Sequence, residues 1–207
     1  MIAENLLIVQ GGGPTPVLNA TLAGILEEAR HHMKIAKVFG ARSGVAGLAQ
    51  GDVADLSDLR GEELDRLRHS PGAALGSSRA KPSPNHLDRI LHHLRHLDVH
   101  CALFLGGNGT MRGAEAIGQS CRDANYELQV VGIPKTVDND IAETDRCPGY
   151  ASAARYVAQS TRDLGMDVRS LPQPVSIFET MGRDVGWLAA ASVAGKVEED
   201  DAPHLVY

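Results

Sequence analysis

Residues 129–140 read QVVGIPKTVDND, and this stretch decides how the rest of the chain is interpreted. The run from Gln129 to Ile133 is largely apolar, which predicts a buried strand. Residues 134–140 then change abruptly to a proline, a cation, a hydroxyl and two carboxylates. That composition is typical of a loop at the carboxyl end of a strand, where open α/β sheets bind their ligands. Lysine and threonine suit phosphate oxygens, and a carboxylate suits a metal or a hydroxyl proton.

Strand and helix patterns alternate along the sequence, which predicts an α/β protein with a parallel sheet covered on both faces. We expect a Rossmann-like three-layer domain over residues 1–146 and the start of a second, smaller α/β domain over residues 147–207. The predicted strands are Leu6–Val9, Ile35–Phe39, Cys101–Leu105, Gln129–Ile133 and Val175–Glu179. Helices are predicted around residues 18–29, 57–69, 87–97, 111–124, 151–165 and 185–194, with a loop over residues 40–51 and irregular structure over residues 70–84.

Composition and charge exclude several classes of protein. The 207 residues are 43% hydrophobic, enough for one good core or for one domain with part of another. A formal net charge of −6 argues against a general nucleic-acid-binding surface. Cys101, Cys121 and Cys147 share no short spacing, so we expect neither a disulfide framework nor a zinc site, and a reducing cytosol fits best. We expect no targeting segment and no membrane span.

Two glycine-rich turns each follow a predicted strand and precede a predicted helix. The first spans Gly11 to Pro16 and the second spans Gly106 to Thr110. Glycine lets the backbone approach a phosphate closely, and the amide groups that begin a helix can bind it. Each turn alone is also compatible with an ordinary strand–helix connection. In the second turn, Asn108 would then only cap the helix. Two such turns at the ends of parallel strands favour phosphate binding.

Charged side chains in the loops supply candidate chemistry. Asp138 and Asp140 could stabilise a turn, or one of them could accept a hydroxyl proton while Mg²⁺ bridges phosphates. Arg79 and Arg183 could neutralise phosphoryl charge, although each taken alone is typical of a surface arginine. The pair His92–His96 has the i, i+4 spacing of a metal site. The leucines occupy the buried face of that helix, however, which favours a solvated polar face.

Several motifs together resemble the phosphofructokinases, a family with ATP-dependent and pyrophosphate-dependent branches. Each glycine loop alone is weakly specific, whereas the combination of motifs is highly specific. The order and spacing of the motifs agree with those of the family along essentially the whole chain. The matching segments are Gly12-Gly13-x-x-Pro16-x-x-Asn19, Leu75-Gly76-Ser77-Ser78-Arg79, Gly106-Gly107-Asn108-Gly109-Thr110, Pro134-Lys135-Thr136-Val137-Asp138-Asn139-Asp140 and Met181-Gly182-Arg183.

The resemblance implies transfer of a phosphoryl group from ATP or pyrophosphate to the 1-hydroxyl of fructose 6-phosphate, giving fructose 1,6-bisphosphate in glycolysis. It implies that Asp138 is the base that accepts the hydroxyl proton. Thr136 would hold the sugar and the migrating phosphoryl group, and Arg183 would stabilise the developing charge. Further sugar contacts are implied for Asp140, Met181, Gly182 and Arg183. Donor contacts are implied for Gly12, Arg79, Gly107, Asn108, Gly109, Thr110 and Lys135.

By the same resemblance, residues 1–146 would bind the donor phosphates, and residues 147–207 would begin the sugar-phosphate-binding domain. Asn108 stands where the family usually has an aspartate that engages magnesium, so the expected Mg²⁺ would have only a weak ligand there. Pro174 stands in the place of an arginine that reaches a neighbouring subunit's sugar phosphate. Residues 205–207 resemble the start of another strand, and the family's later sugar-phosphate segment would follow. We therefore expect a truncated chain.

The donor and the class of function stay open at this stage. In this family Gly109 resembles the residue of ATP users, and Lys135 resembles that of pyrophosphate users, although some ATP users also carry lysine. Physically, Gly109 leaves room for a nucleotide α-phosphate that an aspartate would repel, and Lys135 can serve either donor. We favour ATP. Lipid and NAD kinases share a similar glycine loop but would not carry the stretch over residues 134–140. The alternative is an inactive or regulatory phosphate-binding fragment of the family. The family also implies a cytoplasmic homo-oligomer, a dimer or tetramer at full length.

Overall fold

A five-stranded sheet forms the centre of the computed structural model, which describes residues 4–172 and 175–207. The strand order is β3-β2-β1-β4-β5. Neighbouring strands run parallel except at the β2–β3 pair, which is antiparallel. The strands are β1 (Glu4–Gln10), β2 (Ile35–Ala41), β3 (Val53–Asp55), β4 (Val99–Gly106) and β5 (Gln129–Pro134). The predicted α/β class is confirmed, with a mostly parallel sheet.

The helices are α1 (Pro16–Ala29), α2 (Gly44–Leu48), α3 (Glu62–His69), α4 (Pro84–His96), α5 (Asn108–Asp123), α6 (Tyr150–Ser170) and α7 (Trp187–Ala191), and a 3₁₀ helix spans Ser192–Gly195. The described chain divides into two compact units, one ending at Lys135 and the other beginning at Thr136. The functional division that we expect between residues 146 and 147 stays a prediction. Among the described residues, no helix is both long enough and apolar enough to cross a membrane.

Strand β1 is buried on both faces, because successive side chains of a strand point to opposite sides of the sheet. Leu7 and Val9 pack into one hydrophobic core with residues of α4 and α5. Leu6 and Ile8 pack into a second core with residues of α1 and α3. A continuous apolar run suits such a strand, since both of its faces are covered by helices. The result is the expected three-layer arrangement.

Two helices begin where their sequences carry ordinary start signals. Pro16 is the first residue of α1, where its missing N–H removes no helical hydrogen bond and its fixed φ suits the helix. In α4, the Ser83 hydroxyl accepts a hydrogen bond from the backbone N–H of His86, and the His86 ring accepts one from the N–H of Ser83. These starts fix the helices against the sheet at the positions that the leucine spacing predicts.

Besides helix α6, which ends at Ser170 and not near residue 165 as predicted, four predicted elements differ from the structure. The expected loop over residues 40–51 contains α2, and the helix expected from Ser57 begins only at Glu62. Ser57 instead uses its hydroxyl to accept the Val38 N–H and to bond Asp55 at the β2–β3 edge. Residues 185–194 hold a short helix followed by a 3₁₀ turn.

The strand expected at Val175–Glu179 is the fourth difference. Residues 175–179 form no strand, and Val175 and Ile177 are 79% and 92% exposed. A strand needs a neighbour to pair its backbone groups, and the described residues offer this segment none. Pro174, for which we expect the loss of an arginine contact, lies outside the described residues.

Candidate functional site

The predicted donor contacts all lie in the unit that ends at Lys135. The glycine turn after β1 is held by the segment over residues 75–79. Gly12 donates its N–H to the carbonyl of Ser78 at 3.1 Å, and the Ser77 hydroxyl donates to the carbonyl of Gly12 at 2.6 Å. Gly12 has a φ of +79°, a conformation that glycine adopts without steric cost. The glycine turn and the segment over residues 75–79 are distant in sequence, and these hydrogen bonds hold them together.

Two cations lie against this turn. The ammonium group of Lys135, a residue only 6% exposed, donates a hydrogen bond to the carbonyl of Gly13. A Cβ placed on Gly13 would lie 3.9 Å from Nη2 of Arg79, and a Cβ placed on Gly12 would lie 4.0 Å from Nζ of Lys135. Both cations therefore lie about 4 Å from positions that side chains at Gly12 and Gly13 would occupy. This is the chemistry that binds phosphate oxygens.

The second glycine loop carries a side chain with a packing role that the sequence does not predict. Thr110 is 8% exposed and lies between the carboxyl ends of β1 and β4. A Cβ on Gly11 would lie 2.4 Å from the Thr110 hydroxyl oxygen, and a Cβ on Gly106 would lie 2.2 Å from it. Both glycines are therefore required by the packing of Thr110. Its role as a donor contact stays a prediction.

The first turn of α5 has open space beside Gly109. Gly107 is the N-cap of this 16-residue helix and provides no side-chain cap. The first amide groups of a helix carry a partial positive charge that favours anions. A Cβ on Gly109 would meet nothing within 4 Å, so space is available beside the first turn. Asn108 is half-buried as the first helical residue and makes contacts of its own.

The predicted sugar contacts all lie in the unit that begins at Thr136. Thr136 and Asp138 are each 8% exposed, and the Thr136 hydroxyl accepts the backbone N–H of Asp138 at 3.1 Å. Oδ1 of Asp138 is buried and has no hydrogen-bond partner among the described residues. Oδ2 of Asp138 lies 3.9 Å from Nε of Arg183. The structure thus brings together the predicted base and the predicted charge-stabilising arginine.

The Met181–Arg183 segment is shaped by its backbone. Gly182 has a φ of +152°, and a Cβ there would lie 2.4 Å from the carbonyl oxygen of Val185. Arg183 itself has a φ of +53°, which is uncommon for a residue with a side chain. Its side chain is 66% exposed and Met181 is 65% exposed, so both side chains are accessible to solvent. Asp140 is half-buried and has an interaction partner of its own.

Asn139 is a residue whose importance the sequence reasoning missed. Its Nδ2 donates to the carbonyl of Asp145 at 3.1 Å, and its Oδ1 accepts the N–H of Cys147 at 2.7 Å. Its φ is +57°, a left-handed conformation in which asparagine is enriched. An asparagine between two aspartates in a loop was the available signal, because asparagine favours tight turns. Its partners six and eight residues further on could not be read from the pattern.

The histidines of α4 differ in their surroundings. His92 and His96 are exposed, whereas His93 packs against Gly51, where a Cβ would lie 2.7 Å from the imidazole ring. Partial burial lowers the pKa of His93 below its ordinary value, with smaller contributions from the neighbouring charges of His92, Arg89 and His96. Within residues 4–172 and 175–207, no group of three or more His, Cys, Asp or Glu side chains is placed to hold a metal ion.

Comparison with known proteins identifies the relatives of this chain. A family model described as Phosphofructokinase matches residues 5–199. A protein named sulfofructose kinase, from Alkalicoccus urumqiensis, is 42% identical over 202 residues, which cover 97% of this chain and 52% of that protein. A pyrophosphate–fructose 6-phosphate 1-phosphotransferase from Xanthomonas campestris pv. campestris is 41% identical over 214 residues, which cover 100% of this chain and 51% of that protein.

A more distant relative, named ATP-dependent 6-phosphofructokinase, from Entamoeba histolytica, is 32% identical and covers 88% of this chain and 41% of that protein. The crystal structure of a pyrophosphate-dependent phosphofructokinase from Marinobacter aquaeolei superposes with a TM-score of 0.86 at 34% identity, over 98% of this chain and 52% of that one. The chain therefore spans about half the length of the curated relatives it matches. The chain belongs to the phosphofructokinase family.

Proposed function

We propose that the protein transfers the terminal phosphoryl group of ATP or pyrophosphate to the 1-hydroxyl of fructose 6-phosphate, with Asp138 as the general base. The observation that carries this proposal is the Asp138 carboxylate. It is buried, its Oδ1 has no hydrogen-bond partner among the described residues, and its Oδ2 lies 3.9 Å from Arg183. A base must have an available oxygen within hydrogen-bond reach of the proton that it removes. Oδ1 of Asp138 has no hydrogen bond among the described residues that it would have to give up to accept that proton.

In the proposed step, the 1-hydroxyl oxygen attacks the terminal phosphorus while its proton passes to Asp138, and the leaving group departs with the electron pair of the broken P–O bond. Arg183 neutralises charge on the phosphoryl group in flight. The Thr136 oxygen accepts the Asp138 N–H, so its own hydrogen is available for a sugar or phosphoryl oxygen. Met181, Gly182 and Asp140 are proposed as further sugar contacts.

The glycine turn after β1 supports the donor half of the proposal. Lys135 and Arg79 lie beside Gly12 and Gly13, where no side chain obstructs the approach of a phosphate. Phosphoryl transfer depends mainly on positioning and on neutralising charge, and two cations beside an unobstructed backbone suit both needs. Gly107 and Gly109 are proposed to add backbone contacts at the start of α5. Thr110 is proposed to contribute there through its backbone, because its side chain packs between two glycines.

We propose that Mg²⁺ enters with the donor phosphates. The part of the chain that the structure describes holds no acidic cluster able to bind the ion alone. Magnesium commonly keeps several waters and binds through substrate phosphates and one or two protein oxygens. The amide oxygen of Asn108 fits such a minor role, although it carries no charge. When bound, the ion would neutralise phosphate charge.

For the donor we favour ATP, because the space beside Gly109 accommodates a larger donor. The identities with named relatives favour pyrophosphate instead, at 41% against 32%. The identity of the phosphoryl acceptor also needs a direct test, because the relative from Alkalicoccus urumqiensis is named sulfofructose kinase. A cytoplasmic location and assembly as a homo-oligomer are proposed from the family alone.

The test is turnover of the purified protein with each donor and each acceptor, in the presence of magnesium. Asp138→Asn should lower kcat by about 100-fold or more, since general-base catalysis contributes about 10²–10⁴-fold, and should leave donor affinity unchanged. Asp145→Asn is the matched control, because Asp145 is an exposed aspartate of the same loop. Its turnover should stay normal. Near-normal turnover in Asp138→Asn would exclude Asp138 as the base.

A second candidate function is phosphate binding without turnover, as in a regulatory member of the family. The arrangement of Lys135, Arg79 and the glycine turn favours it, because two cations lie beside the open backbone of one turn within a single unit. Calorimetric titration with pyrophosphate and with ATP separates the two candidates. Binding of either donor with no product from any pair of substrates would support the regulatory function and exclude the enzymatic one.

A further inference from the structure

We propose that Asn139 is a positioning residue that fixes the direction of the Asp138 carboxylate. The inference rests on the proposed role of Asp138 as the base. Asn139 is the next residue in the chain, and its side chain bonds the following turn at two points, the carbonyl of Asp145 and the N–H of Cys147. One amide group therefore closes the loop over residues 139–147 on itself.

Both the backbone and the side chain at this position require a particular kind of residue. A φ of +57° is disfavoured for most side chains, and glycine, asparagine and aspartate tolerate it best. Only asparagine combines that tolerance with one donor and one acceptor on the same short side chain. The Cys147 N–H belongs to a residue that is 3% exposed, so the loss of its acceptor would leave a buried donor unpaired.

The consequence for Asp138 follows from how that residue is held. Its Oδ1 accepts no hydrogen bond from the described residues, and the Arg183 contact at Oδ2 is long at 3.9 Å. The orientation of the carboxylate is therefore set mainly through the backbone on its two sides. The Thr136 hydroxyl accepts the Asp138 N–H on one side, and on the other side the Asn139 side chain anchors the next residue to the backbone of Asp145 and Cys147. A displacement of about 1 Å at a reacting group can cost about 100-fold in rate.

A purely structural role for Asn139 makes a different prediction. If the side chain only stabilised the loop, its removal would lower the free energy of unfolding and leave the reaction of the folded protein unchanged. A positioning role lowers kcat and leaves the KM for the donor unchanged, because the donor contacts belong to other residues. The two roles are separated by the split between kcat and KM and by which substitutions restore activity.

Three variants separate the contributions of the residue. Asn139→Gly keeps the left-handed backbone and removes both side-chain hydrogen bonds, and Asn139→Ala removes both bonds and also strains the backbone. We expect both to lower kcat by about 100-fold, with the donor KM changed by less than about twofold. Asn139→Asp keeps the acceptor for Cys147 and should retain more activity than either. Asn125→Gly is the control, since Asn125 is exposed, has a φ of +50° and lies at the end of α5.

Amide hydrogen exchange gives a second readout that needs no turnover. In Asn139→Gly, exchange should become faster at Cys147 and also at Asp138, whose N–H is bonded to Thr136. In Asn125→Gly both amides should exchange as in the wild type. Faster exchange at Cys147 with no change at Asp138 would overturn the inference, as would near-normal kcat in Asn139→Gly. Slow turnover in Asp138→Asn beside normal turnover in Asn139→Gly would refute the positioning role alone and leave the proposed function standing.

Discussion

Substitution of Gly11 by alanine tests whether Thr110 is wedged between the ends of β1 and β4. The new Cβ would lie 2.4 Å from the Thr110 hydroxyl oxygen and 3.0 Å from its methyl carbon. Both distances are well inside the ~3.5–4.0 Å of a favourable contact between heavy atoms. The backbone has little freedom to retreat, because the Gly11 N–H is bonded to the carbonyl of Leu105 at 2.9 Å.

The expected loss of stability is the difference of two effects. Inserting a methyl group into a packed site costs about 1–3 kcal/mol. Replacing a glycine of ordinary φ by alanine stabilises by about 0.4–1 kcal/mol, because the unfolded chain has less freedom. We therefore expect Gly11→Ala to lower the free energy of unfolding by about 1–2 kcal/mol. Urea unfolding gives the magnitude, and amide exchange in β1 and β4 localises it.

A second substitution identifies the cause. Thr110→Ala removes the two closest atoms, after which the nearest remaining contact of the new Cβ is the Cβ of residue 110 at 3.2 Å. Gly11→Ala should then cost less in that background by about 1 kcal/mol, a coupling that double-mutant analysis measures. Gly24→Ala is the control, since that exposed glycine of α1 has open space and should gain about 0.5–1 kcal/mol. If the stability changes of Gly11→Ala and Thr110→Ala were strictly additive, a steric clash with Thr110 would be refuted as the cause.

Two further predictions concern the donor and the pH dependence of stability. Gly109→Asp places a carboxylate in the open space beside α5, so kcat/KM should fall at least about tenfold further with ATP than with pyrophosphate; equal losses would contradict the electrostatic account. The pKa of His100 is raised above its ordinary value of 6.5, chiefly by the hydrogen bond that its Nδ1 donates to the carbonyl of Glu127 and secondarily by Asp98. A raised pKa stabilises the fold at pH values below 6.5, and the contribution disappears as the pH rises through the folded-state value. Urea midpoints should therefore show that His100→Gln destabilises more at pH 5 than at pH 8, and an equal loss at both values would exclude the effect.

The elements that could be predicted from sequence are those with strong and continuous patterns. The apolar run of β1 and the leucine spacing of α4 each outweigh any competing local signal, so both elements lie where the sequence places them. The missed elements are short. Helix α2 has five residues, two of them glycine, and β3 has three residues. No periodicity can be read over such lengths, and β3 exists because it pairs with β2, a contact that depends on the tertiary fold.

At the candidate site too, the residue types could be predicted from the sequence but their contacts could not. The residue types in the loop after β5 are visible in the sequence, and their chemistry follows from general principles. The hydrogen bond from Lys135 to the carbonyl of Gly13 joins residues 122 positions apart, and only the parallel register of β1, β4 and β5 brings them together. Asn139 was overlooked for the opposite reason. Its partners are local, but a side chain that bonds the backbone leaves no periodic trace.

The glycines of the two loops show why a motif alone assigns function incompletely. In the sequence, Gly11, Gly12, Gly106 and Gly109 belong to one pattern that favours phosphate binding. In the structure they divide into two kinds. Gly11 and Gly106 lack side chains because Thr110 occupies that space, whereas Gly12 and Gly109 leave space open where a phosphate or a nucleotide could lie. Substitution of Gly11 or Gly106 should lower stability and substitution of Gly109 should alter donor use, whereas a side chain at Gly12, whose φ is +79°, would also strain the backbone. The same motif therefore serves both the packing of the sheet edge and the proposed chemistry.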